Sequence, residues 1–197
     1  NSSAVLEVND GNKQHRVLLP QTDLDLVVLN TILSIVVKAG KFEDAHQLFR
    51  RIQGGEYTDS SGIAISPDRI TYHNLLAGCR SPEVAKQIIK EMRLSRRNRY
   101  GCIPPNSVSY AHAISACQRA TTPDLMAVNQ LLDWAEHDQI TPTVYMYASA
   151  IWTAQRCGDL SRCLELYREL EAVGCKPNGV FFNGLICALC DNGSKKK

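Results

Sequence analysis

Cys187 and Cys190 are the residues of this sequence best spaced for redox or metal chemistry. A C-x-x-C can cycle between dithiol and disulfide, or supply half of a tetrahedral zinc site. Zinc would need a second cysteine pair or a C-x-x-H, and neither occurs at zinc-like spacing, so no metal is expected. The eight cysteines are spread along the chain, and Cys79, Cys117, Cys157, Cys187 and Cys190 fall in or at the end of apolar, helix-like runs. There a free thiol acts as a small hydrophobe, so all eight are expected as free packing residues. The five histidines (His15, His46, His73, His112, His137) have no carboxylate or cysteine partners at recurring spacing. Neither a phosphate-cradling glycine loop nor an H-E-x-x-H pair is present. The reading is a binding module with no catalytic residues and no cofactor, not an enzyme.

The elements that carry these residues must come from 197 residues with 44% apolar content, enough for one globular domain or one repeat array. Twenty-two basic against 20 acidic residues give a net +2, which excludes a global basic field and a charged disordered tail. No apolar run approaches the ~18–20 residues of a membrane-spanning helix, and no membrane partner is expected. The chain begins Asn1-Ser2-Ser3, which reads as a processed or excised segment whose targeting signal is out of view.

An internal repeat organises the chain. Pro67, Pro105, Pro142 and Pro177 recur at intervals of 38, 37 and 35 residues. Five residues after each stands an aromatic: Tyr72, Tyr110, Tyr147 and Phe182, with Leu29 in the same slot of an earlier copy. Paired apolar residues three and four positions further on make a helix face. A second stripe follows in every complete copy: Ala45, Leu48, Phe49, Ile52; then Ala85, Ile88, Ile89, Met92; then Val128, Leu131, Leu132, Ala135; then Cys163, Leu166, Tyr167, Leu170. The i, i+3, i+4, i+7 spacing predicts a second helix. Ser81-Pro82 and Thr122-Pro123 supply start signals for two of these.

The copies fall at 26–68, 69–106, 107–143 and 144–178, with the first helix of a fifth at 179–190 and a tail at 191–197. One hairpin cannot bury both stripes alone, whereas stacked copies bury them against each other. The expected fold is all-α: a right-handed α-solenoid of about nine helices, its first helices lining the concave wall, with no strand anywhere. Residues 1–25 fall outside the frame and read as a linker or irregular cap. Residues 53–66 read as an inserted mobile loop. The uncovered last half-repeat offers a route to self-association of an otherwise monomeric chain.

The strings VVLNTILSIVVKAGKFEDAHQLFRRI (27–52), PDRITYHNLL (67–76) and VYMYASAIWTAQRCGDLSRCLELYRELEAVGCKPN (144–178) resemble pentatricopeptide repeats. The resemblance implies single-stranded RNA binding at about one base per repeat. It pairs the residue after the aromatic slot with the residue after the proline as base readers: Asn30 with Asp68, His73 with Asn106, Ala111 with Thr143, and Ala148 with Asn178, with Asn183 opening a fifth pair. Base-flanking residues are then Val27, Ile70, Val108, Tyr145 and Val180. Asparagine offers a donor and an acceptor and aspartate an acceptor, so Asn30 and Asp68 can read a base edge. Ala111 and Ala148 have no polar atom and depart from the family pattern, so the middle repeats are expected to tolerate several bases or contact none. The family also implies an organellar RNA processing, stabilisation, splicing or translation factor, in mitochondrion or plastid.

Charge is uneven. The copy at 69–106 carries +6, while the copy at 107–143 carries −3. Lys38, Arg80, Arg119 and Arg156 recur near the end of each first helix, where a cation suits either the helix C-terminus or a phosphate. Arg96, Arg97 and Arg99 form a further expected phosphate contact, with Tyr100 as a stacking residue. The competing expectation is a protein–protein scaffold built on the same helical surface, favoured by the near-neutral total and the two alanines.

Overall fold

Five segments start directly after an Asp, Asn or Thr, or after Asp68 held as one, and each becomes the first helix of a pair. The computed structural model describes residues 4–9, 14–19, 25–94 and 103–194. The first helices are α1 (Leu26–Lys38), α3 (Arg69–Gly78), α5 (Ser107–Arg119), α7 (Val144–Cys157) and α9 (Gly179–Ser194). The second helices are α2 (Phe42–Gln53), α4 (Pro82–Leu94), α6 (Leu125–His137) and α8 (Leu160–Ala172). These are the nine helices among the described residues, and each complete pair falls where the repeat places it. The array is all-α. Helix α6 begins later than its Thr122-Pro123 signal, because Asp124 caps it by accepting from the Ala127 N–H at 2.9 Å.

The chain divides into two compact units, one holding α1–α3 and the other α4–α9. In the first, α1 packs on both α2 and α3. Leu29, Leu33, Ala45, Phe49 and Ile52 are fully buried there, and Phe49 meets Tyr72 edge-on at 5.1 Å between ring centroids. A fully buried Leu, Ile or Phe contributes about 1.5–3 kcal/mol, so these stripes hold the helices together. A Cβ on Gly78 would come within 2.6 Å of Val37 Cγ1, so α3 approaches α1 at a place only glycine permits. The loop after α2, expected to be mobile, is closed on itself. Asp59 accepts from the Ser61 and Ile63 N–H groups, Thr58 pairs with Ala64, and Tyr57 and Ile65 are buried. Arg51 stacks over Tyr57 and pairs with Glu56, which fastens the loop to α2.

In the second unit the first helices pack in succession, α5 on α7 and α7 on α9, and α4 packs on α5 and α6. The predicted stripes of α4, α6 and α8 are buried, except that Tyr167 is only partly covered. Asp138, just past α6, ties three helices together: it accepts from the Tyr110 hydroxyl at 2.5 Å and from both Nε and Nη2 of Arg93. Arg93 in turn lies 5.2 Å from the centroid of the Trp134 ring.

Three expectations are corrected. Within residues 1–25, Ala4–Asn9 (β1) and Gln14–Leu19 (β2) form an antiparallel pair running from Ala4↔Leu19 to Asn9↔Gln14, so a strand-free, irregular segment is not what the chain adopts. The sequence carried the signal: the short apolar stretches Ala4-Val5-Leu6 and Val17-Leu18-Leu19 on either side of Asp10-Gly11-Asn12, residue types that favour hairpin turns. In α9 it is Phe181 that is fully buried, against Tyr167 of α8, while Phe182 is 44% exposed. No second helix follows α9 among the described residues to cover the Phe182 side. Finally, Cys79, Cys117 and Cys163 are buried packing residues, but Cys157 and Cys190 are exposed, the former because it is the last residue of α7. None of the seven described cysteines is in a disulfide.

Candidate nucleic-acid interface

The residue after each repeat proline starts a helix. Asn106 Oδ1 accepts from the Ser109 N–H at 3.0 Å, Asn178 Oδ1 from the Phe181 N–H at 2.9 Å, and Asp68 Oδ1 from the Thr71 N–H at 2.8 Å. Each satisfies a backbone donor that the first turn leaves unpaired. Thr143 stands at the same place before α7, its own N–H directed at Met146 Sδ. A capping oxygen is spent on the helix, so the Asn106 and Asn178 amides are oriented with their NH2 groups as the remaining hydrogen-bonding atoms. Asp68 keeps a second carboxylate oxygen. This capping role went unread in the sequence, although the Asp, Asn and Thr types one residue after proline signal it.

Asn30 and Asp68, one of the predicted base-reading pairs, meet in the structure. Asn30 Nδ2 donates to Asp68 Oδ1 at 3.1 Å, and the Asn30 carbonyl accepts from Asn74 Nδ2. Asn30 is 8% exposed, and its Oδ1 is buried without a hydrogen-bond partner. Burial alone would raise the Asp68 carboxyl, but hydrogen bonds from Thr71, Asn30 and Ile70 hold it below the usual carboxylate range. It is thus an ionised acceptor at neutral pH. His73 lies part-buried on α3 and Asn183 is exposed on α9.

The base-flanking candidates behave alike. Val27 and Ile70 in one unit, and Val108, Tyr145 and Val180 in the other, are all exposed, from 44% for Val108 to 70% for Val27. Large apolar side chains repeatedly left in water at one helical position suit stacking on planar partners.

In the second unit a cavity of about 390 Å3 opens along the first helices. It brings together Val108, Ala111, Thr143, Tyr145, Ala148 and Val180, six of the predicted site residues. Its wall also contains His112, Ser149 and Trp152, which sequence reading missed. They lie one residue, or one helical turn, beyond the expected reading positions, a displacement that helical spacing alone could have suggested.

The phosphate candidates divide. Lys38 ends α1 and is exposed, and Arg80 is exposed ahead of α4. Arg119 and Arg156 are engaged with the protein. Arg119 donates to Ser115 Oγ and to the Cys79 carbonyl. Arg156 donates to the carbonyls of Gln118, Ala120 and Thr121, which closes the C-terminal end of α5. Arg96, Arg97, Arg99 and Tyr100 lie outside the described residues.

A larger cavity of about 1060 Å3 lies between α4 and α6 and contains none of the base-reading candidates. Two of its cations are already paired, Lys86 with Glu83 and Arg93 with Asp138. Among the described residues no group of three or more His, Cys, Asp or Glu is placed to hold a metal, and no helix is long and apolar enough to cross a membrane.

Comparison with known proteins agrees with this geometry. Residues 130–192 match the pentatricopeptide repeat domain and residues 27–55 match the PPR repeat. A chloroplastic pentatricopeptide repeat-containing protein of Arabidopsis thaliana is 25% identical over 170 residues, which are 85% of this chain and 17% of that relative. The chain thus spans less than a fifth of the relative's length. Among solved structures, the pentatricopeptide repeat protein PPR10 from maize superposes with a TM-score of 0.67 at 22% identity, over 86% of this chain and 22% of that one. PPR10 in complex with an 18-nt psaJ RNA element gives 0.67 at 24% identity, over 86% and 23%. The PPR domain of Arabidopsis thaliana protein-only RNase P 1, in complex with tRNA, gives 0.61 at 17% identity, over 86% and 83%. At these identities the likeness to the solved structures is one of fold.

Proposed function

This chain belongs to the pentatricopeptide-repeat proteins, and on that premise we propose that it binds single-stranded RNA with sequence selectivity, at about one base per repeat. The observation that carries the reading is the Asn30–Asp68 pair. The Asp68 carboxylate, held ionised and hydrogen-bonded by Asn30, offers an acceptor to the imino or amino group of a base. The five exposed apolar residues at the flanking position supply faces for stacking. The RNA-bound PPR10 structure, similar in fold, supports the same reading over the protein-scaffold alternative.

The chain acts as a binding module within an organellar RNA processing, stabilisation, splicing or translation factor, in plastid or mitochondrion. The chloroplastic relative supports an organelle. Protein-only RNase P among the structural neighbours is an enzyme by name, so catalysis is a matter for direct assay. The experiment is a filter-binding titration of the 197-residue chain against a pool of single-stranded RNAs, with a matched DNA pool and an RNA-cleavage readout. Selective retention of some RNAs without cleavage is the expected result. Equal retention of RNA and DNA, or none, overturns the reading.

A further inference from the structure

Asn30 and Asp68 belong to different helices, so their meeting depends on how closely α3 approaches α1. Asn30 lies within α1, whereas Asp68 precedes α3 and is fixed to it by Thr71. Two further residues of α3, neither of them a predicted base reader, touch α1. Asn74 Nδ2 donates to the Asn30 backbone carbonyl at 3.1 Å. Gly78, one turn further along the same face of α3, lies against Val37 of α1. A Cβ on Gly78 would stand 2.6 Å from Val37 Cγ1, 3.1 Å from Cγ2 and 3.3 Å from Cβ. The two helices thus share one seam, with a polar clip at the reading pair and a steric stop at Gly78.

Val37 is poorly able to give way, because a β-branched side chain in a helix has one strongly preferred rotamer. A methyl group on residue 78 therefore moves α3 away from α1. The same place in the later copies, six residues after the aromatic slot, holds Ala116, Thr153 and Ala188, all buried. Alanine there is compatible with the fold, even as it widens this particular seam.

We propose that Asn74 and Gly78 are positioning residues for the Asn30–Asp68 pair: by setting how closely α3 lies on α1, they determine selectivity at one base without contacting it. The proposal rests on the RNA-binding reading above. The Asn30–Asp68 hydrogen bond, at 3.1 Å, stands near the long end of the usual N–H···O range, so a small further separation breaks it. Asn30 Oδ1 has no partner, which leaves that bond as the anchor of the amide. Once it is lost, the Asn30 side chain no longer holds one orientation toward a base. Asp68 meanwhile stays capped by the Thr71 N–H and hydroxyl, so α3 keeps its start. Widening the seam is thus expected to blunt base choice while sparing the helix and general affinity.

The test uses an RNA selected by the whole chain from a randomised single-stranded pool, and the position in it whose base choice Asn30→Ala relaxes. Fluorescence anisotropy then gives the affinity for each of the four bases, and for an abasic site, at that position. The proteins compared are the wild type, Asn74→Leu, Gly78→Ala and the double variant Val37→Ala with Gly78→Ala. The ratio of best to worst base should fall about tenfold in either single variant, roughly the weight of one hydrogen bond to a charged group. The abasic RNA should bind every protein within about twofold. Val37→Ala removes both Cγ atoms, so the double variant should recover the ratio that Gly78→Ala loses. Should Gly78→Ala unfold by circular dichroism, Asn74→Leu carries the test alone. An unchanged ratio in both single variants, abasic RNA weakened as much as the preferred one, or no recovery in the double variant overturns the positioning role and leaves RNA binding standing. If Asn30→Ala relaxes no position, the reading pair and its positioning fall together, and a wild type that selects no RNA overturns the RNA-binding reading as well.

Discussion

Asn30 Nδ2 donates to Asp68 Oδ1 at 3.1 Å, so two residues 38 positions apart in sequence share one hydrogen bond beside a buried, unpaired oxygen. Asp68 caps α3 through Thr71, and in the proposed reading it also offers a carboxylate to a base. The two can be separated by substitution.

Asn30→Ala or Asp68→Ala should weaken binding to a preferred RNA by about 1–3 kcal/mol and relax choice at one base only. Asp68→Ala should also cost about 0.5–2 kcal/mol of stability through the lost cap. Asp68→Asn keeps the capping oxygen and replaces an acceptor by a donor, so it should change which base is preferred at little cost in thermal midpoint. Parallel melting curves and competition binding check both halves. A uniform loss over all sequences would rule out paired reading here.

Arg156 should behave as a structural residue. Its three carbonyl contacts end α5, and Arg156→Ala is expected to cost about 1 kcal/mol, discounted for exposure. That corresponds to roughly 2–4 °C in thermal midpoint for a chain this size. The salt dependence of RNA affinity should hardly change. Replacing Arg96, Arg97 and Arg99 together by serine should instead flatten the slope of log K against log salt by about 2, three single-strand phosphate contacts at ~0.7 each.

The second-helix stripes were legible because their spacing is a physical requirement. Ile88 and Leu166 are buried where i, i+3, i+4, i+7 places them. The β1–β2 hairpin lies outside the repeat, so the period near 35 carries no information about it. Register alone names Asn30 and Asp68 as a pair, and the two side chains meet in the structure. Ser149 and Trp152 line the cavity beside Ala148 without being named by the register, which gives positions and does not show which neighbouring side chains border a cavity. The engagement of Arg119 and Arg156 with carbonyls depends on the neighbouring repeat and cannot be read from either repeat alone.

Truncating Ile88 or Leu166 to alanine should cost about 2–5 kcal/mol, since each is enclosed and leaves a void between stacked helices. Urea denaturation followed by circular dichroism measures it. A loss below 1 kcal/mol would mean that the helices collapse around the gap.

The Tyr110–Asp138–Arg93 cluster predicts a bounded pH range. Burial would raise the Asp138 carboxyl, but Tyr110 and Arg93 bring it below its ordinary value, so its contribution is present above about pH 4 and fades as pH falls through the lowered value. Burial and Asp138 raise the Tyr110 hydroxyl, so its contribution is complete below about pH 10 and fades as pH rises above that. Tyr110→Phe should cost about 1.5–3 kcal/mol at pH 7 and flatten both limbs of a stability profile. Denaturation midpoints across pH 3–11 are the measurement, and unchanged limbs would count against the cluster.

The residue after each proline starts a helix, and in the proposed RNA-binding reading it also faces a base, so its identity is doubly constrained. Only Ser, Thr, Asn and Asp end a backbone donor well and still carry a polar atom to spare. Asp68, Asn106, Thr143 and Asn178 all come from that set of four. Engineering this chain toward a new target therefore has a restricted alphabet at that place, and each letter arrives with its own melting temperature. Retuning a base and retuning a fold are, at those four residues, the same edit.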